Sequence, residues 1–116
     1  MARVRATVPG MDENPNMVVN ARFEMSSETM AAMREPLLTM QTASRVEDGC
    51  HDYTFSVELD QPNVLRITEL WENRAALEAH FAQPHMKVFQ AAMAAHPPAG
   101  GKATFFEVKE VPRPGT

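Results

Sequence analysis

Apolar and polar residues alternate with a period of two in four segments of the chain, which predicts four β-strands. The predicted strands cover residues 16–25, 51–59, 64–71 and 103–111. The second strand is the clearest, since apolar and polar side chains alternate without a break from Tyr53 to Leu59. The polar residues 60–63 predict the turn that joins the second strand to the third, which we expect to pair antiparallel.

Three further segments carry apolar residues at spacings of three and four, which predicts helices. The predicted helices cover residues 27–45, 74–83 and 84–95. Ser26 and Asn73 suit the N-caps of the first two helices, and Pro84 suits the first turn of the third. Pro36 lies inside the first helix, so we expect either a kink there or two shorter helical pieces.

The order of these elements predicts an α+β fold, the ferredoxin-like split βαβ sandwich, in which helices cover one face of a four-stranded antiparallel sheet. The elements divide the chain into a flexible N-terminal arm of residues 1–15, one domain of residues 16–111 and a C-terminal tail of residues 112–116. The other face of the sheet is left uncovered and is only partly charged. We therefore expect a homodimer that packs sheet against sheet.

Composition and charge narrow the possible partners. The 116 residues are enough for one domain, and 15 acidic against 11 basic side chains give a formal net charge of -4. Because phosphate backbones and anionic lipids attract basic surfaces, we expect no nucleic acid and no membrane as partner. A single cysteine allows no intramolecular disulfide, and we expect neither a spanning segment nor an export signal. A cytoplasmic protein fits these features best.

Few residues suit nucleophilic or metal chemistry. Cys50 has no base that the sequence places beside it, and a half-buried structural thiol is the simpler interpretation. His80 and His85 are five residues apart and separated by Pro84, which does not place both rings on one helical face. Glu78, the carboxylate nearest in sequence, lies on a different face of its helix. We therefore expect no metal site.

The most informative group consists of Glu69, Trp71 and His80. Glu69 and Trp71 share one face of the third strand with Ile67, and a carboxylate on this face is costly to bury unless it is paired or hydrated. His80, on the apolar face of the following helix, is expected over the same region. It is either a core histidine bonded to Glu69 or to backbone, or the titratable group of a small ligand cavity with Trp71 as a wall.

Four segments also carry a recognisable combination of residues. They are SRVEDGCHDY at 44–53, ITELW at 67–71, AALEAH at 75–80 and PHMKVF at 84–89. In this order and at this spacing they resemble the antibiotic biosynthesis monooxygenase family, and in particular its quinol-monooxygenase-like members. The resemblance extends over about residues 16–111.

The resemblance implies a dimeric α/β barrel and a monooxygenase that oxidises a quinol or polyphenolic aromatic with O₂. It also implies that no cofactor is needed, because a deprotonated polyphenol supplies the electrons itself. On this basis His80 is the expected catalytic base, and Trp71 is expected to stack on the substrate ring. The other expected substrate-binding residues are Glu69, Asn20, Arg22 and His85. The alternative is a non-catalytic dimeric small-ligand-binding or accessory protein of the same fold.

Overall fold

Seven elements follow one another in the order that the hydrophobic pattern predicts. The computed structural model describes residues 15–115, so nearly all of the expected N-terminal arm, residues 1–15, lies outside the described residues. The elements are β1 (Met17–Glu24), α1 (Ser27–Arg45), β2 (Cys50–Glu58), β3 (Gln61–Trp71), α2 (Arg74–Phe81), α3 (Pro84–Ala95) and β4 (Gly100–Glu107). None of these helices is long and apolar enough to span a bilayer.

The four strands form one antiparallel sheet in the order β2-β3-β1-β4, which confirms the α+β, ferredoxin-like prediction. Alternate residues of the inner strands are buried beneath the helices, while the residues between them face away from the helices. Glu69 of β3 lies opposite Val19 on one side and Tyr53 on the other. The register therefore places a carboxyl group in the middle of the apolar sheet face.

The turn between β2 and β3 is shorter than predicted. Only residues 59–60 form it, and Gln61 already pairs with Glu58, so the predicted turn at residues 60–63 is wrong. Pro62 is tolerated in β3 because it precedes Val64, where the pairing with β1 ends. The pairing with β2 is also irregular at this point, so the donor that proline lacks is not needed.

Helix α1 is continuous, so the alternative of two shorter helical pieces is wrong. Ser26 caps it by accepting a hydrogen bond from the backbone N–H of Thr29 at 3.0 Å, as its sequence position predicts. Met33, Leu37 and Met40 are buried on one side of the helix, on both sides of Pro36 in sequence. We attribute the continuity to this packing, which outweighs the low helix propensity of proline.

Strand β4 begins three residues earlier than predicted and ends at Glu107 rather than at residue 111. Gly100 and Gly101 were expected to precede the strand, yet they form its first two residues. Gly101 pairs with Phe23 at close range: a Cβ atom on it would lie 2.2 Å from Phe23 Cδ1 and 2.6 Å from the carbonyl oxygen of Arg22. Glycine is thus what allows the two strands to approach here.

Candidate functional site

A cavity of about 290 Å³ lies between the sheet and the helices α2 and α3. Its lining is mostly apolar and includes Val19, Ala21, Ile67, Met86 and Phe89. Within the described residues, Glu69 supplies the only carboxyl group of this lining. A larger groove of about 510 Å³ runs along α1 and β2 but contains none of the site residues that the sequence predicts.

Two phenylalanines mark the exposed side of the cavity. Phe81, the last residue of α2, is 45% exposed, and Phe105 of β4 is 49% exposed. Both line the cavity, and their ring centroids lie 6.1 Å apart. They form a mouth between the helical layer and the edge strand. Sequence reasoning missed this pair, since only the register of β4 brings Phe105 to the cavity side.

Glu69 is buried, with 7% of its surface exposed. Among residues 15–115, its carboxyl group has one hydrogen-bond donor, which is neutral. The indole Nε1–H of Trp71 donates to Glu69 Oε1 at 2.9 Å. Burial raises the pKa of Glu69 to about 7, against the opposing effect of the Trp71 hydrogen bond and with a smaller contribution from the negative charge of Glu47. Carboxyl and carboxylate forms of Glu69 are therefore both well populated near neutral pH.

His80 is fully buried, but it does not line the cavity. Its ring centroid is 4.6 Å from that of Trp71 and 5.4 Å from that of Tyr53. Its Nδ1 lies 2.7 Å from Glu47 Oε2. Burial lowers the pKa of His80, although the hydrogen bond and charge of Glu47 oppose the shift, so the neutral ring is favoured. The expectation of a bonded core histidine is supported, but its partner is Glu47 and not Glu69 or backbone.

The tautomer of His80 follows from this hydrogen bond. A carboxylate oxygen can only accept, so Nδ1 of the neutral ring carries the hydrogen and donates it to Glu47. The lone pair then lies on Nε2, which is buried and has no hydrogen-bond partner among residues 15–115.

Trp71 is also fully buried and lies outside the cavity lining. It contacts His80 with its ring and Glu69 with its N–H, so it connects the two titratable groups. Trp71 therefore does not form the wall of the cavity that the sequence analysis expects. The side chain of Trp71 points from the helix-facing side of β3 into the core. From there its indole N–H holds the carboxyl group of Glu69 by a hydrogen bond.

Asn20 and Arg22 lie on the sheet face away from the helices, because they alternate along β1 with the cavity residues Val19 and Ala21. Arg22 Nε donates to Glu58 Oε2 at 2.8 Å on that outer face. The structure therefore does not bring either residue to the cavity of its own chain.

His85 also lies outside the cavity. Its Nε2 is 2.7 Å from Glu47 Oε2, the same oxygen that His80 contacts. Of the six site residues that the sequence predicts, only Glu69 lines the cavity.

Glu47 is the main residue that sequence reasoning missed. It lies in the turn after α1, 33 positions before His80 in the chain, and its side chain is largely buried. Its carboxylate and the two histidines place three possible ligand atoms within 4.8 Å of one another. The sequence argument against a metal site fails at this point, because Pro84 does not prevent both rings from reaching one carboxylate. The only available signal was the position of Glu47 inside segment 44–53.

The fold and the cavity together define an α+β sandwich protein with room for a small apolar ligand between its layers. A family model for antibiotic biosynthesis monooxygenases matches residues 16–92. Rv0793 of Mycobacterium tuberculosis is 32% identical over 75 residues, which is 65% of this chain and 73% of that protein. A crystal structure from Deinococcus radiodurans superposes with a TM-score of 0.77 at 31% identity, covering 84% of this chain and 96% of that one. The chain belongs to the antibiotic biosynthesis monooxygenase family.

Another relative has a more specific name. "Probable quinol monooxygenase YgiN" of Escherichia coli K12 is 36% identical over 55 residues, which is 40% of this chain but only 53% of YgiN. The uncharacterized Synechocystis protein sll1783 is 41% identical over 46 residues, and the match spans 31% of its length. The match thus spans about half of one relative and a third of the other.

Proposed function

We propose that the protein is a monooxygenase that oxidises a hydroquinone or related polyphenol with O₂ in the cavity between sheet and helices. The observation that carries the proposal is Glu69, a carboxyl group with a pKa of about 7 on a mostly apolar lining. The family match supports a monooxygenase, and the name of YgiN supports a quinol as its substrate.

The cavity suits an aromatic ring in size and polarity. A buried apolar cavity of roughly 150 Å³ is enough to hold benzene, so about 290 Å³ accommodates a one- or two-ring substrate. Met86 and Phe89 of α3 offer apolar contacts to such a ring, and the mouth between Phe81 and Phe105 gives it a route of entry.

The proposed reaction converts hydroquinone and O₂ to hydroxyquinone and water. One oxygen atom forms a new bond to a ring carbon as the C–H bond there breaks, and the other oxygen leaves as water with two hydrogens. All four electrons come from the substrate, so the balance requires no resident redox group. What the protein must supply is removal of a phenolic proton, because the phenolate gives up electrons far more readily than the phenol.

Glu69 is the proposed proton acceptor. A base works best when its pKa lies near the working pH, and Glu69 meets this condition on the cavity surface itself. His80, the residue that the resemblance indicates, is separated from the cavity and held by Glu47. We assign His80 a positioning role: it packs on Trp71, which in turn orients the Glu69 carboxyl through its indole hydrogen bond.

Oxygen uptake with a panel of one- and two-ring hydroquinones tests this proposal. We expect enzyme-dependent uptake of one O₂ per hydroquinone, reduced at least about tenfold in Glu69→Gln because a general base is removed. Glu78→Gln, which alters an exposed carboxylate on α2, is the matched control and keeps the wild-type rate. No uptake on any substrate contradicts the monooxygenase. A loss confined to His80→Ala would instead assign the base to His80.

One observation favours a second candidate function, a ligand-binding protein without catalysis. His80 is fixed by an internal hydrogen bond outside the cavity, as a purely structural histidine is. This candidate predicts that hydroquinones and quinones bind with equal affinity under air and under nitrogen, and that no O₂ is consumed.

We further propose that two copies of the chain associate through the uncovered sheet face. Leu70, Val18 and Phe106 are cross-strand neighbours there and form an apolar strip across β3, β1 and β4. Phe106 is 46% exposed in the single chain, which a sheet-to-sheet contact would cover.

A further inference from the structure

We propose that Glu47, His80 and His85 form a binding site for one divalent transition-metal ion of the zinc type. Two imidazoles and one carboxylate are a donor set that zinc accepts, as are other ions that prefer nitrogen ligands. The site lies where the turn after α1 meets α2 and α3, and it is separate from the Glu69 cavity. The inference goes beyond the proposed oxygenation and requires no part of it.

The three ligand atoms already converge on one point. Oε2 of Glu47 lies 2.7 Å from both His80 Nδ1 and His85 Nε2, and all three atoms fall within 4.8 Å of one another. Ligands bound to a tetrahedral zinc at about 2.0–2.1 Å lie roughly 3.3 Å apart. Each nitrogen must therefore move about 0.6 Å away from the oxygen, a shift within the reach of side-chain rotation.

The cluster has no competing cation within the described residues. The ion pairs of Glu47 there are those with His80 and His85, and both rings direct a nitrogen at the same oxygen. In the described structure this one oxygen contacts both rings at 2.7 Å. A metal ion that replaces the two N–H hydrogens would bind the carboxylate and one lone pair of each ring at the same time.

Metal binding requires a tautomer change at His80, in which the Nδ1 hydrogen bond to Glu47 is replaced by a bond from Nδ1 to the metal. To coordinate through Nδ1, the neutral ring must carry its hydrogen on Nε2 instead. Nε2 of His80 has no hydrogen-bond partner in the described part of the chain, so no contact is lost at that atom. In many other core histidines the second nitrogen is already committed and fixes one tautomer.

The site is accessible from solvent on one side. His85 and Glu47 line a surface depression of about 490 Å³ together with Asp48, Ala79 and Gln83. An ion can enter from this depression, which also leaves a fourth coordination position for water. Three protein ligands with one open position are typical of catalytic rather than structural zinc sites.

Metal binding is tested on the untagged protein by titration calorimetry with Zn²⁺ and by the visible absorption of Co²⁺. We expect one equivalent of Zn²⁺ to bind, with affinity at least tenfold weaker in both His85→Ala and Glu47→Gln. His96→Ala is the matched control, since His96 is an exposed histidine at the end of α3, and it should keep wild-type affinity. Mg²⁺ should not compete, because it prefers oxygen ligands.

Several results would overturn the site. They are the absence of binding above the buffer blank, equal affinity in wild type and His85→Ala, or an equal loss in His96→Ala. Circular dichroism checks that each variant is folded. If His85→Ala and Glu47→Gln both unfold, the Co²⁺ spectrum of the wild-type protein decides. Intense absorption bands, typical of a four- or five-coordinate ion, support the site. The weak spectrum of hydrated Co²⁺ refutes it. All measurements are made without substrate, so their outcome is independent of oxygen uptake.

Discussion

At the scale of single residues, the burial of Glu69 is the feature that most affects both stability and chemistry. The carboxyl group lies on a mostly apolar cavity lining, and within the described residues its hydrogen bond comes from an indole rather than from a cation. Because burial leaves the group little contact with water, the ionised form is disfavoured and the pKa rises to about 7. The same environment thus makes Glu69 both a source of instability and a suitable base.

A prediction for stability follows from this pKa. Folded Glu69 holds its proton up to pH of about 7, whereas the unfolded chain releases it near pH 4.5, so folding loses stability as pH rises between these values. Glu69→Gln removes the effect. We expect the variant to match wild type near pH 4 and to exceed it by up to about 3 kcal/mol at pH 8.

Urea unfolding at the two pH values measures this difference. Glu78→Gln, at an exposed position of α2, serves as the control and is expected to stay close to wild type at both. A Glu69→Gln variant that is less stable than wild type at pH 8 would contradict the assigned pKa.

Residue patterns were sufficient to select Glu69 but not to place its neighbours. Period-two alternation put Glu69 and Trp71 on the helix-facing side of β3, and both are buried there. The pattern could not show that the Trp71 indole donates a hydrogen bond to Glu69, or that the Glu47 carboxylate contacts His80. Those contacts depend on the packing of the turn after α1 against α2, which local periodicity does not encode.

At the scale of elements, the errors of prediction occur where tertiary contacts override local propensity. Pro62 and Gly101 both signal a break in a strand, yet each lies inside one. Pro62 is tolerated because β3 extends past β1 at that point. Gly101 is required because β4 approaches Phe23 so closely that a side chain would not fit.

A pair of glycine substitutions tests the account of β4. Gly101→Ala places a Cβ atom against Phe23 and the Arg22 carbonyl, at a backbone φ of +155° that side chains rarely adopt. We expect it to lower the free energy of unfolding by about 1–3 kcal/mol. Gly100→Ala is the matched control, since its Cβ atom meets only the flexible end of Glu24 at 3.3 Å. Equal thermal stability of the two variants would contradict the close approach.

At the scale of the whole molecule, the described residues 15–115 cover the sheet on one side only. The order of elements was enough to predict this architecture, because a split βαβ unit places its helices on one face. The same order leaves the strip formed by Leu70, Val18 and Phe106 facing outward. Association of two copies is the simplest way to bury it.

Light scattering after size-exclusion chromatography tests the association. We expect a mass twice the 12.9 kDa of one chain, and a single-chain mass for Phe106→Glu, which places a charge in the apolar strip. Leu59→Glu is the control, because Leu59 is a fully exposed apolar residue in the β2–β3 turn. Wild type eluting as a single chain, or a Phe106→Glu dimer as stable as wild type, would contradict the proposed contact.

The pH dependence of oxygen uptake tests the central proposal most directly. Initial rates are measured between pH 5.5 and 8.5 with one hydroquinone, and the enzyme-free rate at each pH is subtracted because hydroquinones also react with O₂ unaided. A base with a pKa of about 7 predicts a rate that rises about tenfold per pH unit below that value and levels off above it. Glu69→Gln should show no such rise. A flat profile for wild type, or the same profile in Glu69→Gln, would contradict the assignment of Glu69 as the base.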